Sequence, residues 1–118
     1  MNMFRGQKVP EVSAIDAEAG SASEPQILLD VRNADEWEAG HAPGAQWIPL
    51  GDLEGARFQI PMNRHIVCVC RSGARSARAT ATLLEWGFRA SNMVGGMQAW
   101  DAAGLSVVRD DGSPGEVI

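Results

Sequence analysis

The most restrictive feature of the sequence is Ile66-Val67-Cys68-Val69-Cys70, five apolar residues in a row. It makes 65–69 the most convincing strand of the chain, and a second run, Gln26-Ile27-Leu28-Leu29-Asp30-Val31, is of the kind expected from a strand buried on both faces. The densest run, residues 66–70, is far shorter than the roughly 20 residues that a membrane-spanning helix needs. A doubly covered strand requires helices on both sides of its sheet, and the chain supplies them in alternation. Strands are predicted over 9–13, 26–31, 45–48, 65–69 and 90–94. Helices are predicted over 14–19, 34–39, 76–86 and 97–103, with one or two helical turns within 50–56. Asn33 caps the second helix with Glu36 completing a capping pair, and Gly40, Gly87 and Gly104 stop three of the helices. The remaining segments, 20–25, 41–44 and 70–75, are loops or turns.

Strands separated by helices imply an α/β domain with a five-stranded parallel sheet flanked by helices on both faces. At 118 residues there is room for one core. The expected organisation is an N-terminal extension over 1–8, the domain over 9–105, and a polar, mobile C-terminal tail over 106–118.

Charge narrows the function. The formal net charge is −5, which disfavours sequence-independent nucleic-acid binding and gives no attraction to an anionic membrane surface. The N-terminus lacks a secretory apolar stretch, so the protein is expected to be soluble and cytoplasmic. Two cysteines two residues apart on a strand are poorly placed for a disulfide, and with two distant histidines they fall short of a structural zinc set. No metal and no cofactor is expected. Within this acidic chain, residues 55–84 carry five arginines (Arg57, Arg64, Arg71, Arg75 and Arg78) and no acid. Such a cationic window suggests a local anion site, although a solvated face would read the same way.

The window contains Cys70-Arg71-Ser72-Gly73-Ala74-Arg75-Ser76, placed where a buried strand passes through a loop into a helix. Ligands of open parallel sheets sit beyond the carboxyl ends of the strands, which is where this loop lies. Amides of the loop and of the helix start form a nest of partial positive charge that favours a thiolate. Gly73 permits a tight turn, and Arg71 and Arg75 can each present a planar fork to an oxyanion. Cys70 therefore reads as a nucleophile for an anionic substrate, with Arg71, Ser72, Gly73, Ala74, Arg75 and Ser76 as binding residues. Cys68, inside the strand, reads as core.

This loop closely resembles the active-site loop of rhodanese-type sulfurtransferases. Three other stretches are similar to that family: Asp30-Val31-Arg32 with Glu36-Trp37-Glu38-Ala39-Gly40-His41-Ala42-Pro43-Gly44-Ala45, then Ile48-Pro49-Leu50, then Gly95-Gly96-Met97-Gln98-Ala99-Trp100. The resemblance covers about residues 9–105. It implies sulfane-sulfur transfer through a persulfide on Cys70, and Arg71 and Arg75 match the branch that uses thiosulfate. A small-molecule sulfur donor and a cyanide or thiol acceptor are the implied partners, and a protein can stand as acceptor. Ala74 departs from the family's usual polar residue but still supplies an amide.

The other motifs read as scaffold. Asp30 and Arg32 fit a loop-fixing ion pair, His41 a turn, and Trp37, Trp47, Trp86 and Trp100 the core; Arg78 adds to the positive field. Two further functions stay open. A cysteine phosphatase or arsenate reductase uses a similar cradle, but with its arginine six residues after the cysteine; here Arg75 is the fifth. A sulfur-carrier module would hand its persulfide to a protein.

Overall fold

The computed structural model describes residues 8–20 and 26–118. Most of the expected N-terminal extension, and residues 21–25 of the first loop, lie outside the described residues. Five strands, β1 (Glu11–Val12), β2 (Gln26–Asp30), β3 (Gln46–Trp47), β4 (His65–Val69) and β5 (Arg89–Met93), form one parallel sheet in the order β1-β5-β4-β2-β3. The helices are α1 (Ala14–Ala19), α2 (Ala34–Ala39), α3 (Ala74–Glu85) and α4 (Gly96–Ala102), with short 3-10 turns at Leu50–Asp52 and Arg57–Gln59.

The two-residue period of β4 splits its apolar run between two cores. Ile66, Cys68 and then Cys70 pack with Ala79 and Leu83 of α3 and with Leu53 and Ile60. Val67 and Val69 pack on the other face with Ala14 and Ala17 of α1 and Met97 and Trp100 of α4. The strand is thus covered on both faces, as its unbroken apolar run requires. Among the described residues, no helix is long and apolar enough to cross a membrane, and no group of three or more metal-ligating side chains is gathered.

The fold departs from the sequence expectations at the start of α3, at Trp47 and over residues 106–118. The helix α3 starts at Ala74, two residues before the expected Ser76, because Gly73 at its N-cap adopts a left-handed φ of 114°. Trp47 is not core: it is 36% exposed, stacks on Trp37 with ring centroids 5.8 Å apart, and donates its indole N–H to the Arg32 carbonyl at 2.8 Å. Residues 106–118 are not a free tail. They fold back as a strap: His41 N–H donates to Val108 O at 2.8 Å, Gly115 N–H to Val107 O at 2.9 Å and Glu116 N–H to Ala39 O at 2.9 Å. Val107 and Val117 pack against the α1/α4 core, and Asp110 reaches His41 Nε2 at 2.9 Å.

Asp30 and Arg32 form the scaffold pair expected of them. Both are buried; Arg32 Nη2 lies 2.8 Å from Asp30 Oδ2 and donates to the Gly40 carbonyl at 2.8 Å. His41 stacks on Trp37 with centroids 3.6 Å apart, which holds the turn after α2.

Candidate active site

Strand β4 delivers the chain to Cys70 at its carboxyl end, and α3 leaves from four residues later. Cys70 is 1% exposed. Its Sγ accepts from the Gly73 N–H at 3.1 Å and from the Ser76 Oγ–H at 3.2 Å. Burial works against charge on this thiol. The Ser76 hydroxyl and the amides of Ser76, Gly73 and Ser72 outweigh it, and the pKa lies below the ordinary thiol value. A helix of 12 residues points its positive end at the same sulfur.

Helix α4 holds the loop from behind. Its Met97 and Gln98 amides donate to the carbonyls of Cys70 and Arg71 at 2.8 and 3.0 Å. Gly96, with φ of 57°, leaves room for this approach: a Cβ there would collide with the Cys70 carbonyl oxygen and come 2.6 Å from the main chain of Arg71. The Gly95-Gly96 pair therefore positions the loop as well as opening a helix.

Of the seven residues the sequence singled out, Ser72, Gly73 and Ser76 meet the Cys70 sulfur through their amides or hydroxyl. Ala74 begins α3 and is exposed. The two arginines are placed differently from the expectation of two free forks. Both terminal nitrogens of Arg75 hold Glu36, Nη1 to Oε1 at 2.7 Å and Nη2 to Oε2 at 2.9 Å. This bond, against the opposing effect of burial, holds the Glu36 carboxyl below its ordinary pKa and raises that of Arg75; the Cys70 charge adds less to the latter. Arg71 is exposed, and its Nε donates to the main-chain oxygen of Ile118 at 2.9 Å. Its Nη1 and Nη2 face the Gln98 amide oxygen at 3.1 and 3.2 Å when that amide is turned to accept them.

The rest of the cationic window does not converge on this loop. Arg57 lies over the Trp86 ring, 4.6 Å from its centroid, and Arg78 lines a groove with Leu50, Glu54 and Trp86. Cys68 is fully buried, and burial pushes its thiol up to about 12; the nearby Thr80 hydroxyl donates its proton to the Ser76 carbonyl at 2.7 Å.

Two residues at the site escaped the sequence reading. In the sequence Glu36 reads as a cap partner and as part of a family-like stretch, not as a site residue; it is a cap partner too, its Oε1 accepting from Asn33 N–H at 3.1 Å. Asn92, 5% exposed on β5, accepts from Ser76 Oγ–H at 2.6 Å and donates from Nδ2 to the Gly73 carbonyl at 3.1 Å. The available signal is an amide in the middle of a predicted strand.

The chain is similar in sequence and fold to known proteins. The chain matches the rhodanese-like domain family over residues 13–103. It is 37% identical over 106 residues to a protein named sulfurtransferase from Allochromatium vinosum, covering 86% of this chain and 99% of that one. It is 31% identical over 81 residues to thiosulfate sulfurtransferase GlpE from Pseudoalteromonas translucida, covering 68% of this chain and 77% of the relative. A crystal structure of a rhodanese-related protein from Thermoplasma volcanium superposes with a TM-score of 0.77 at 26% identity, covering 84% of this chain and 97% of that one. The matched stretch carries β2 to β5, the Cys70 loop and the two helices that close on it, well over half of the sequence, and the chain belongs to the rhodanese-like domain family.

Proposed function

We propose that the protein is a sulfurtransferase that moves sulfane sulfur from thiosulfate, or a related persulfide donor, to cyanide or a thiol through a persulfide on Cys70. The observation that carries this reading is the Cys70 sulfur itself: an almost enclosed thiol whose anion is held by Gly73 and Ser76. The Cys70 thiolate attacks the outer sulfur of thiosulfate. A new S–S bond forms, the donor's own S–S bond breaks, and its electron pair leaves with sulfite. The charge then rests on the terminal persulfide sulfur. Cyanide or a thiolate attacks that sulfur, and the Cys70 thiolate returns with the electron pair of the broken bond.

Arg71, exposed beside Cys70, is the residue we assign to the donor's sulfonate oxygens; binding there displaces its contact with Ile118. Arg75 acts through its charge and by fixing the loop to α2, since Glu36 occupies its fork.

The phosphatase alternative is disfavoured on two grounds. Arg75 is the fifth residue after Cys70, where phosphate-transferring loops place an arginine sixth. The carboxylate that reaches the loop, Glu36, is bound through both oxygens to Arg75, and its lowered pKa keeps it ionised, which unsuits it to protonate a leaving alcohol. Assaying thiosulfate:cyanide transfer and aryl phosphate hydrolysis on one preparation tests the reading. Thiocyanate without phosphate release is expected; Cys70-dependent phosphate release without sulfur transfer would overturn it.

A further inference from the structure

The single hydroxyl proton of Ser76 faces two acceptors. Ser76 Oγ lies 3.2 Å from Cys70 Sγ and 2.6 Å from Asn92 Oδ1, and a hydroxyl donates one proton. The Asn92 amide cannot reverse to relieve the competition. Its Nδ2 donates to the Gly73 carbonyl at 3.1 Å, which fixes Oδ1 toward Ser76. Both residues are buried, Ser76 at 0% and Asn92 at 5% exposure, so a change of partner has a real cost at the acceptor left behind.

We propose that Asn92 is a positioning residue that sets, through the Ser76 proton, how strongly the Cys70 thiolate is favoured over its thiol and persulfide forms. This rests on the reading of Cys70 as the sulfur-carrying nucleophile. In the thiolate the full charge sits on Sγ and draws the Ser76 proton, leaving Asn92 Oδ1 without it. In the persulfide the charge has moved to the terminal sulfur. Sγ is then a weak acceptor, and the proton turns to Oδ1. Only a hydroxyl rotation is needed. Asn92 therefore stabilises the loaded enzyme against the empty one and limits how far Ser76 lowers the Cys70 pKa.

The charged and titratable groups around Cys70 are Cys68 on β4, Arg71 in the loop, and Arg75 on α3 with its partner Glu36 from α2; Asp30 at the end of β2 acts on Arg75. The facing part of α4 supplies main-chain amides and β5 supplies Asn92. Asn92→Ala alters none of these charged groups but removes the bond to Gly73, whose N–H also reaches the sulfur, so the part of a change in Cys70 acidity that depends on Ser76 reports its proton.

The test is the pH dependence of Cys70 alkylation by iodoacetamide. Asn92→Ala should lower the Cys70 pKa by about half to one unit, the size of one net hydrogen bond. Ser76→Ala should raise it. The deciding comparison is Asn92→Ala in the Ser76→Ala background, where the lowering should vanish. Asn92→Asp keeps the side-chain shape and should raise the pKa, by more with Ser76 present than in the Ser76→Ala background. Equal shifts in both backgrounds, or a raised pKa in Asn92→Ala alone, would overturn the proposal. At a fixed thiosulfate-to-sulfite ratio, intact mass should show several-fold less persulfide in Asn92→Ala than in the unaltered protein. If the unaltered protein takes up no sulfur, the sulfur-transfer reading fails, while the alkylation titration still decides the role of Asn92.

Discussion

Cys68 and Cys70 leave the same face of the same chain segment, two residues apart, and both are almost fully enclosed at 0% and 1% exposure. Their acidities move in opposite directions. Burial raises the Cys68 thiol to about 12, while Cys70 falls below the ordinary value although burial opposes it too. The difference lies in what the chain does next. Cys68 is flanked by strand, whose amides are committed to the ladder with β2 and β5. At Cys70 the strand has ended, and the loop and helix start turn unpaired amides and a hydroxyl toward the sulfur. Enclosure alone makes a thiol inert; enclosure with donors aimed at the sulfur makes a thiolate.

The largest expected effect is at the cysteines themselves. Cys70→Ser should reduce thiosulfate:cyanide transfer to background, whereas Cys68→Ser should keep most of it; the reverse pattern would break the comparison. Alkylation sharpens it without substrate. Because the Cys70 pKa is lowered, its reaction with iodoacetamide should rise at lower pH than that of an ordinary thiol, while Cys68 should react only after unfolding. Next in size is the donor site. Arg71→Ala should lower kcat/KM for thiosulfate by a factor corresponding to about 1.5–3 kcal/mol for a charge-assisted hydrogen bond, and Arg71→Lys should recover only part of it for want of a planar fork. Arg78→Ala should do least. Equal small losses at Arg71, Arg75 and Arg78 would replace direct contact with a diffuse field.

The Glu36–Arg75 clasp predicts a smaller effect, on stability. A carboxyl whose folded pKa is depressed stabilises the fold fully above its unfolded pKa, about 4.3 for glutamate, and that contribution is lost as pH falls through the lower folded value. Urea midpoints should therefore fall more steeply between pH 7 and 3 in the unaltered protein than in Glu36→Gln. Parallel curves would show that the clasp contributes nothing.

The sheet, the loop and Cys70 were legible because each rests on contiguous residues. An unbroken apolar run marks β4, and the Asn33/Glu36 pair marks α2. The start of α3 was missed because a left-handed glycine N-cap gives no side-chain capping signal. The strap was missed because main-chain bonds such as Glu116 N–H to Ala39 O hold it, and residue types do not announce those. Glu36 and Asn92 reach the loop from other elements, across sequence distances of 39 and 16 residues to their partners Arg75 and Ser76. Only the topology brings them there, and with Glu36 in place the fork of Arg75, free on paper, is already bound.

The central claim is that Cys70 carries the transferred sulfur. Its most direct test is intact mass after incubation with thiosulfate and removal of excess donor, for the unaltered protein, Cys68→Ser and Cys70→Ser. The account predicts the added mass of one sulfur atom in the first two, removed by cyanide, and no addition in Cys70→Ser. Sulfur retained in Cys70→Ser, or lost in Cys68→Ser, would contradict it.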